Sequence, residues 1–143
     1  MEFTRRDTLA LGLGAAAVAA LPMQVFAGSH GGKVDEAVAA FTGGAEIGEG
    51  GVELTAPEIA ENGNTVPVEV SAPGASAIML LATGNPTPGV ATFNFGPLAG
   101  AQSAATRIRL AGTQDVVAIA KMADGSFVKA SSTVKVTIGG CGG

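Results

Sequence analysis

The chain has 143 residues, a formal net charge of −4, and a composition that is 47% hydrophobic but only 4% aromatic, with no Trp or Tyr. That length suits one domain once a targeting segment is removed, with a core of Val, Ile, Leu and Ala around Phe41, Phe93, Phe95 and Phe127. Beyond the first 27 residues the cations (Lys33, Arg107, Arg109, Lys121, Lys129 and Lys135) are dispersed. With no basic stripe and few rings to stack on bases, the composition excludes a nucleic-acid surface, and its acidity removes any electrostatic pull toward an anionic membrane.

Residues 1–27 have the order of an export signal. Arg5 and Arg6 form a charged start, Thr8 to Leu21 is apolar, and Val25-Phe26-Ala27 is a small-residue cleavage site. The apolar stretch falls short of the roughly 20 residues that cross a bilayer, and Pro22 ends it. Cleavage is expected after Ala27, leaving a mature chain that starts near Gly28. Thr4-Arg5-Arg6-Asp7-Thr8-Leu9 resembles the twin-arginine signal that exports folded proteins, with Thr8 standing where a larger apolar residue is usual. The expected location is a bacterial periplasm. With one His (His30) and one Cys (Cys141), far apart in the chain, no ligand cluster for zinc, copper or iron-sulfur is on offer, and no cofactor is expected.

Residues 28–138 read as a single β domain. Val34, Val38 and Phe41 share a helical face that Gly43-Gly44 should stop. From there the hydrophobic period becomes two. Val66, Val68 and Val70, then Phe93 and Phe95, Ile108 and Leu110, and finally Val134, Val136 and Ile138 each alternate with polar or small residues. Ala77 to Ala82 and Val116 to Met122 are more continuously apolar, as central strands are, and shorter strands fit Val52 to Leu54 and Phe127 to Ala130. Turns fall at Glu61-Asn62-Gly63-Asn64, Gly84-Asn85-Pro86, Gly112-Thr113 and Asp124-Gly125, the last a tight hairpin. About seven short strands after one helix predict an antiparallel β-sandwich, with a small closed barrel as the alternative. Pro67 lies inside a predicted strand and has no N–H for a ladder, which predicts an edge strand there.

Residues 139–143 are Gly139-Gly140-Cys141-Gly142-Gly143. The alternation ends at Ile138, and the glycines on either side of Cys141 describe a flexible arm carrying one thiol, able to enter a narrow channel. Three extended residues carry that thiol roughly 10 Å beyond the fold. No neighbour in the sequence activates it, so it is expected to keep a pKa near the free value of roughly 8.5. Such a sulfur suits a covalent handle presented to other enzymes. Catalysis by the chain itself finds no support: GxSxG, HExxH and phosphate-loop motifs are absent. Glu46, Glu49 and Glu53, like Arg107 and Arg109, read as solvated faces.

With its twin-arginine-type leader, the segment GNPTPGVATFNFGPLAG, and the end TRIRLAGTQDVVAIAKMADGSFVKASSTVKVTIGGCGG, the sequence resembles the SoxY sulfur-carrier family of the bacterial thiosulfate-oxidising Sox system. The resemblance implies an immunoglobulin-like sandwich that pairs with a second β-sandwich subunit, SoxZ. It implies that Cys141 bears the sulfur intermediates covalently. It further implies visits to a haem enzyme (SoxXA) that joins thiosulfate to the sulfur and a dimanganese hydrolase (SoxB) that releases sulfate. In some organisms a molybdenum enzyme (SoxCD) oxidises what remains. Two other readings of the tail stand beside this one. Ubiquitin-like carriers end in Gly-Gly and would bear a thiocarboxylate on Gly143, but they are activated in the cytoplasm, which the leader contradicts. An exported structural module would use Cys141 to join two chains by a disulfide.

Overall fold

The computed structural model describes residues 31–139. The leader, His30, Gly140, Cys141, Gly142 and Gly143 lie outside the described residues. The chain opens with helix α1 (Gly31–Thr42). Nine strands follow: β1 (Ile47–Glu49), β2 (Glu53–Thr55), β3 (Ile59–Ala60), β4 (Val66–Ser71), β5 (Ala75–Ala82), β6 (Gly89–Asn94), β7 (Ser103–Ile108), β8 (Gln114–Met122) and β9 (Phe127–Val136). One sheet has the order β1-β9-β8-β5-β6, with β3 also pairing β9, and the other is β2-β4-β7. The two face each other as a sandwich, as expected.

Burial explains why the central strands lack alternation. Inward from β5 and β8, Ile78, Leu80, Ala82, Val116, Ala118 and Ala120 join Val66, Val68, Val70, Ile108, Leu110 and Val134 in the core between the sheets. The opposite faces of the same two strands carry Met79, Leu81 and Ile119, which with Phe127 form a second cluster packed by Ala37, Val38 and Phe41. Helix α1 therefore covers part of the outer face, where β5 and β8 must be apolar on both sides, while Asp115 and Lys121 of β8 stay exposed. Phe41 meets Phe127 edge-to-face with ring centroids 5.8 Å apart, an arrangement that adds about 1 kcal/mol beyond area burial. Gly43 and Gly44, at φ of 66° and 83°, end the helix as expected.

Four details differ from the sequence reading. β4 is the middle strand of its sheet, not an edge. Its pairing with β2 stops at Thr55↔Glu69, whereas its pairing with β7 continues through Pro67↔Arg107 to Val66↔Ile108. Pro67 thus lies where one flank of β4 has already lost its neighbour, and a missing N–H costs nothing there. Next to it lies an open groove of about 550 Å³ running from Ala56 and Pro57 to Arg107. Second, the two strands expected around Phe127 and Val134 are one: β9 pairs β8 without a break from Phe127 to Val134. Its polar middle resembles a turn in sequence, but Thr133 donates its hydroxyl to the Asp115 carboxylate across the pair. Third, two very short strands, β1 and β3, add to β9 in parallel, so the sandwich is not wholly antiparallel. Fourth, Ile138 is 68% exposed, because β9 ends at Val136 and alternation ends with it.

Among the buried polar side chains, Asn85 is only 2% exposed, despite sitting in a sequence that reads as a surface turn. It donates Nδ2–H to the Arg109 carbonyl (2.8 Å). Its Oδ1 accepts the Ala111 N–H (2.9 Å) and Gln114 Nε2–H (2.9 Å). Gln114 also donates to the Gly112 carbonyl (3.0 Å) and accepts the Gly84 N–H (2.9 Å). The loop from Arg109 to Gly112 is in this way moulded onto two amide side chains. Asn85→Ala should cost about 2–3 kcal/mol in urea unfolding, since it strands buried donors and acceptors, whereas Asn62→Ala at an exposed turn should cost under about 1 kcal/mol.

The β8–β9 hairpin closes as expected at Asp124-Gly125, with Met122 N–H on the Ser126 carbonyl (2.8 Å). The Ser126 hydroxyl (2.6 Å) and N–H (2.9 Å) both donate to Asp124 Oδ1. Those bonds, the hydroxyl's foremost, lower the Asp124 pKa. A lowered folded-state value means a contribution present above the unfolded pKa of roughly 3.9 and lost as pH falls through the folded value. In a carboxyl NMR titration Asp124 should titrate below the ordinary carboxylate range, and Ser126→Ala should return it upward.

Candidate functional site

The end of β9 is where the sequence places the arm, and hydrogen bonds hold it on both sides. Lys135 N–H donates to the Glu58 carbonyl (2.9 Å) and Thr137 N–H to the Ala60 carbonyl (3.0 Å). The Thr137 hydroxyl reaches the Glu61 carbonyl (2.9 Å). From the opposite flank Thr113 Oγ1 accepts the Val136 N–H (3.0 Å). Strand β3 exists because this second seam recruits it: Ile59 and Ala60 align with Lys135 and Val136.

One residue further on, the contacts converge. Gly63 donates its N–H to the Ile138 carbonyl (2.7 Å) and accepts the Leu110 N–H on its own carbonyl (2.8 Å). Leu110 is fully buried and precedes Ala111, the residue whose N–H Asn85 accepts. The backbone of Gly139 lies so close to the Ala111 carbonyl oxygen that a Cβ at position 139 would overlap it. Residues 138–139, Gly63 and Leu110-Ala111 thus close a small ring of backbone, with the Asn85–Gln114 pair beneath it. Ile138, side chain outward, borders this ring, and Glu61, Arg109 and Lys135 are exposed on the neighbouring segments.

Of the arm, residues 139–143, only Gly139 falls among those described, at the rim of this ring. Arg107 and Arg109 are exposed, as expected of a solvated face, and Arg107 Nη1 makes one long bond to Thr65 Oγ1 (3.4 Å). Glu46, Glu49 and Glu53 are likewise exposed. Among the described residues no group of three or more His, Cys, Asp or Glu could hold a metal ion, and no helix is long and apolar enough to cross a membrane. Sequence reading missed Gly63, Asn85, Ala111 and Gln114. The first two stand in segments whose composition announces a turn and nothing more.

Comparison with known proteins fits this architecture. The family model described as sulfur oxidation protein SoxY matches residues 38–141. The solved structure of the sulfur carrier protein SoxY from Chlorobium limicola f. thiosulfatophilum is 38% identical, with a TM-score of 0.66, over 76% of this chain and 99% of that one. A superoxide reductase (neelaredoxin) from Ignicoccus hospitalis aligns over 71% of this chain and 90% of its own at a TM-score of 0.54 and 20% identity, a likeness of fold alone. No curated protein sequence matches the chain. The matched span takes in α1 from Val38, both sheets and the arm through Cys141, and the chain belongs to the SoxY sulfur-oxidation family.

Proposed function

We propose that this chain is a periplasmic sulfur carrier, exported by the twin-arginine route, that holds thiosulfate-derived intermediates covalently on Cys141 and presents them to partner enzymes. The observation that carries the proposal is the family match, which extends along the arm to the chain's one cysteine. The 38%-identical relative described as a sulfur carrier supports it, as does the place of Gly139, the first residue of the arm, next to exposed Ile138.

The chemistry follows from the sulfur. Cys141 thiol and thiosulfate join as Cys–S–S–SO₃⁻, releasing one proton and two electrons, which a haem partner of the SoxXA kind accepts. Water then cleaves the terminal S–S bond at a SoxB-like dimanganese site, giving Cys–S–SH and hydrogen sulfate. Where a SoxCD-like molybdenum enzyme is present, it oxidises the remaining sulfane sulfur. The chain's own residues contribute the thiol, a tail with no side chain beyond that of Cys141, and a folded base against which partners dock. A SoxZ-like subunit completes the carrier as a heterodimer, and a partner assembled before export gives a reason for a folded-protein signal.

Intact mass of the protein from the periplasm of thiosulfate-grown cells should show a reducible increase confined to the Cys141 peptide. Cys141→Ser should abolish thiosulfate oxidation by the reconstituted partners. Full activity in that variant, or an unmodified thiol throughout turnover, would leave a structural module joined through Cys141 as the better reading. An adduct found on Gly143 would point instead to thiocarboxylate chemistry.

A further inference from the structure

We propose that Gly139 is a positioning residue: seated against the Ala111 carbonyl, it fixes the point at which the chain leaves the sandwich, so that the tether to Cys141 is counted from residue 139. This deepens the carrier reading of Cys141 and rests on it. A glycine between a strand and a thiol is ordinarily explained by conformational freedom. Position 139 supplies a second reason, since a Cβ there would overlap a backbone oxygen, which cannot swing aside as a side-chain tip does.

The oxygen is also held in place. Asn85, buried and bonded to Arg109 and Gln114, accepts the N–H of Ala111 itself. On the arm side, residue 138 is tied by the single short bond from Gly63, which is in turn bonded to Leu110. A side chain at 139 must displace one side of this contact. The Ala111 side is fastened by a buried network, whereas beyond Thr137 the arm side is held by one backbone bond, so residues 138–139 give way.

The consequence for a carrier is reach. From Gly139 the Cα of Cys141 can travel at most about 7 Å. Were the root released back to Thr137, which stays bonded to Ala60 and Glu61, the same Cα could travel about 14 Å. A shorter tether confines the thiol to a smaller volume beside Ala111 and raises its effective concentration for an enzyme docked at that end. Partners then meet Cys141 at one defined exit.

Cys141 is the chain's single cysteine, so a nitroxide can be placed on it in the full mature protein without other changes. Electron paramagnetic resonance of that label and amide exchange at Gly63 would be compared in wild type, Gly139→Ala and Gly140→Ala. Gly139→Ala should speed Gly63 exchange about tenfold, the loss of one net hydrogen bond, and narrow the nitroxide spectrum. Gly140→Ala should do neither, and amides of β5 and β8 should keep their protection in both. Unchanged Gly63 exchange in Gly139→Ala, or equal effects of the two substitutions, would overturn the proposal. So would loss of protection throughout β5 and β8, which would make Gly139 a residue of the fold. The label reads arm geometry with no sulfur cargo present, so its outcome is independent of whether Cys141 carries thiosulfate.

Discussion

An amide side chain taken out of water loses its hydrogen bonds to solvent, and leaving a buried donor or acceptor unmet costs about 1–3 kcal/mol. Asn85 meets that demand only if the chain from Arg109 to Ala111 comes to it with a carbonyl and an N–H in the right places. Gln114 then fills the other lone pair of Oδ1 and reaches Gly112 and Gly84. Once this loop is set, Leu110 is presented to Gly63, Gly63 to Ile138, and Ala111 to Gly139. The base of the arm is thus specified by a polar pair rather than by the apolar core.

The core contributes stiffness behind that pair. The second sheet covers the inner face of β5 and β8, and α1 covers Met79, Leu81 and Ile119 on the outer one, which holds the middle of both strands from two sides. Gln114 opens β8 and Asn85 lies just beyond the end of β5, which attaches the amide pair to the two most buried strands of the molecule. Lys33 adds a link from the helix, donating Nζ–H to the carbonyl of Pro86 (3.1 Å), next to Asn85. Polar specification and apolar packing meet at this end of the sandwich.

Periodicity made the sandwich legible because burying one face forces alternation, and burying both forces apolar runs. Val66, Val68 and Val70 on one side, and Ala77 to Ala82 on the other, announce their places without ambiguity. What stayed hidden had no such signal. Ile47 to Glu49 and Ile59-Ala60 are too short to show a period, and their parallel pairing depends on where distant chain passes. Pro67 correctly reports a flank with no ladder partner, but a strand can be central along one half and open along the other. Asn85 is indistinguishable in composition from a solvated turn asparagine, because the groups that satisfy it, two backbone atoms and the Gln114 amide, lie 24 to 29 residues away. The close approach at Gly139 is hidden for the same reason, since a glycine chosen for space and one chosen for freedom are the same letter.

On the carrier reading, these observations divide the labour within residues 137–143. A group passed among several enzymes must leave the fold far enough to enter each active site, and every degree of freedom it keeps must be surrendered on entry. Ordering a backbone residue costs about 1–2 kcal/mol, so a tether loosened from the end of β9 would make each visit less favourable with no gain in depth beyond what the channel requires. Holding Thr137 through Gly139 by backbone bonds and close contact removes that cost before any partner arrives. Only the last residues would then be ordered on docking, and docking itself could be aligned on the fixed end of the sandwich, where exposed Ile138 offers apolar surface next to the exit. A short tether on a rigid mount suits such a carrier, because a longer one would spend in entropy what it gained in reach.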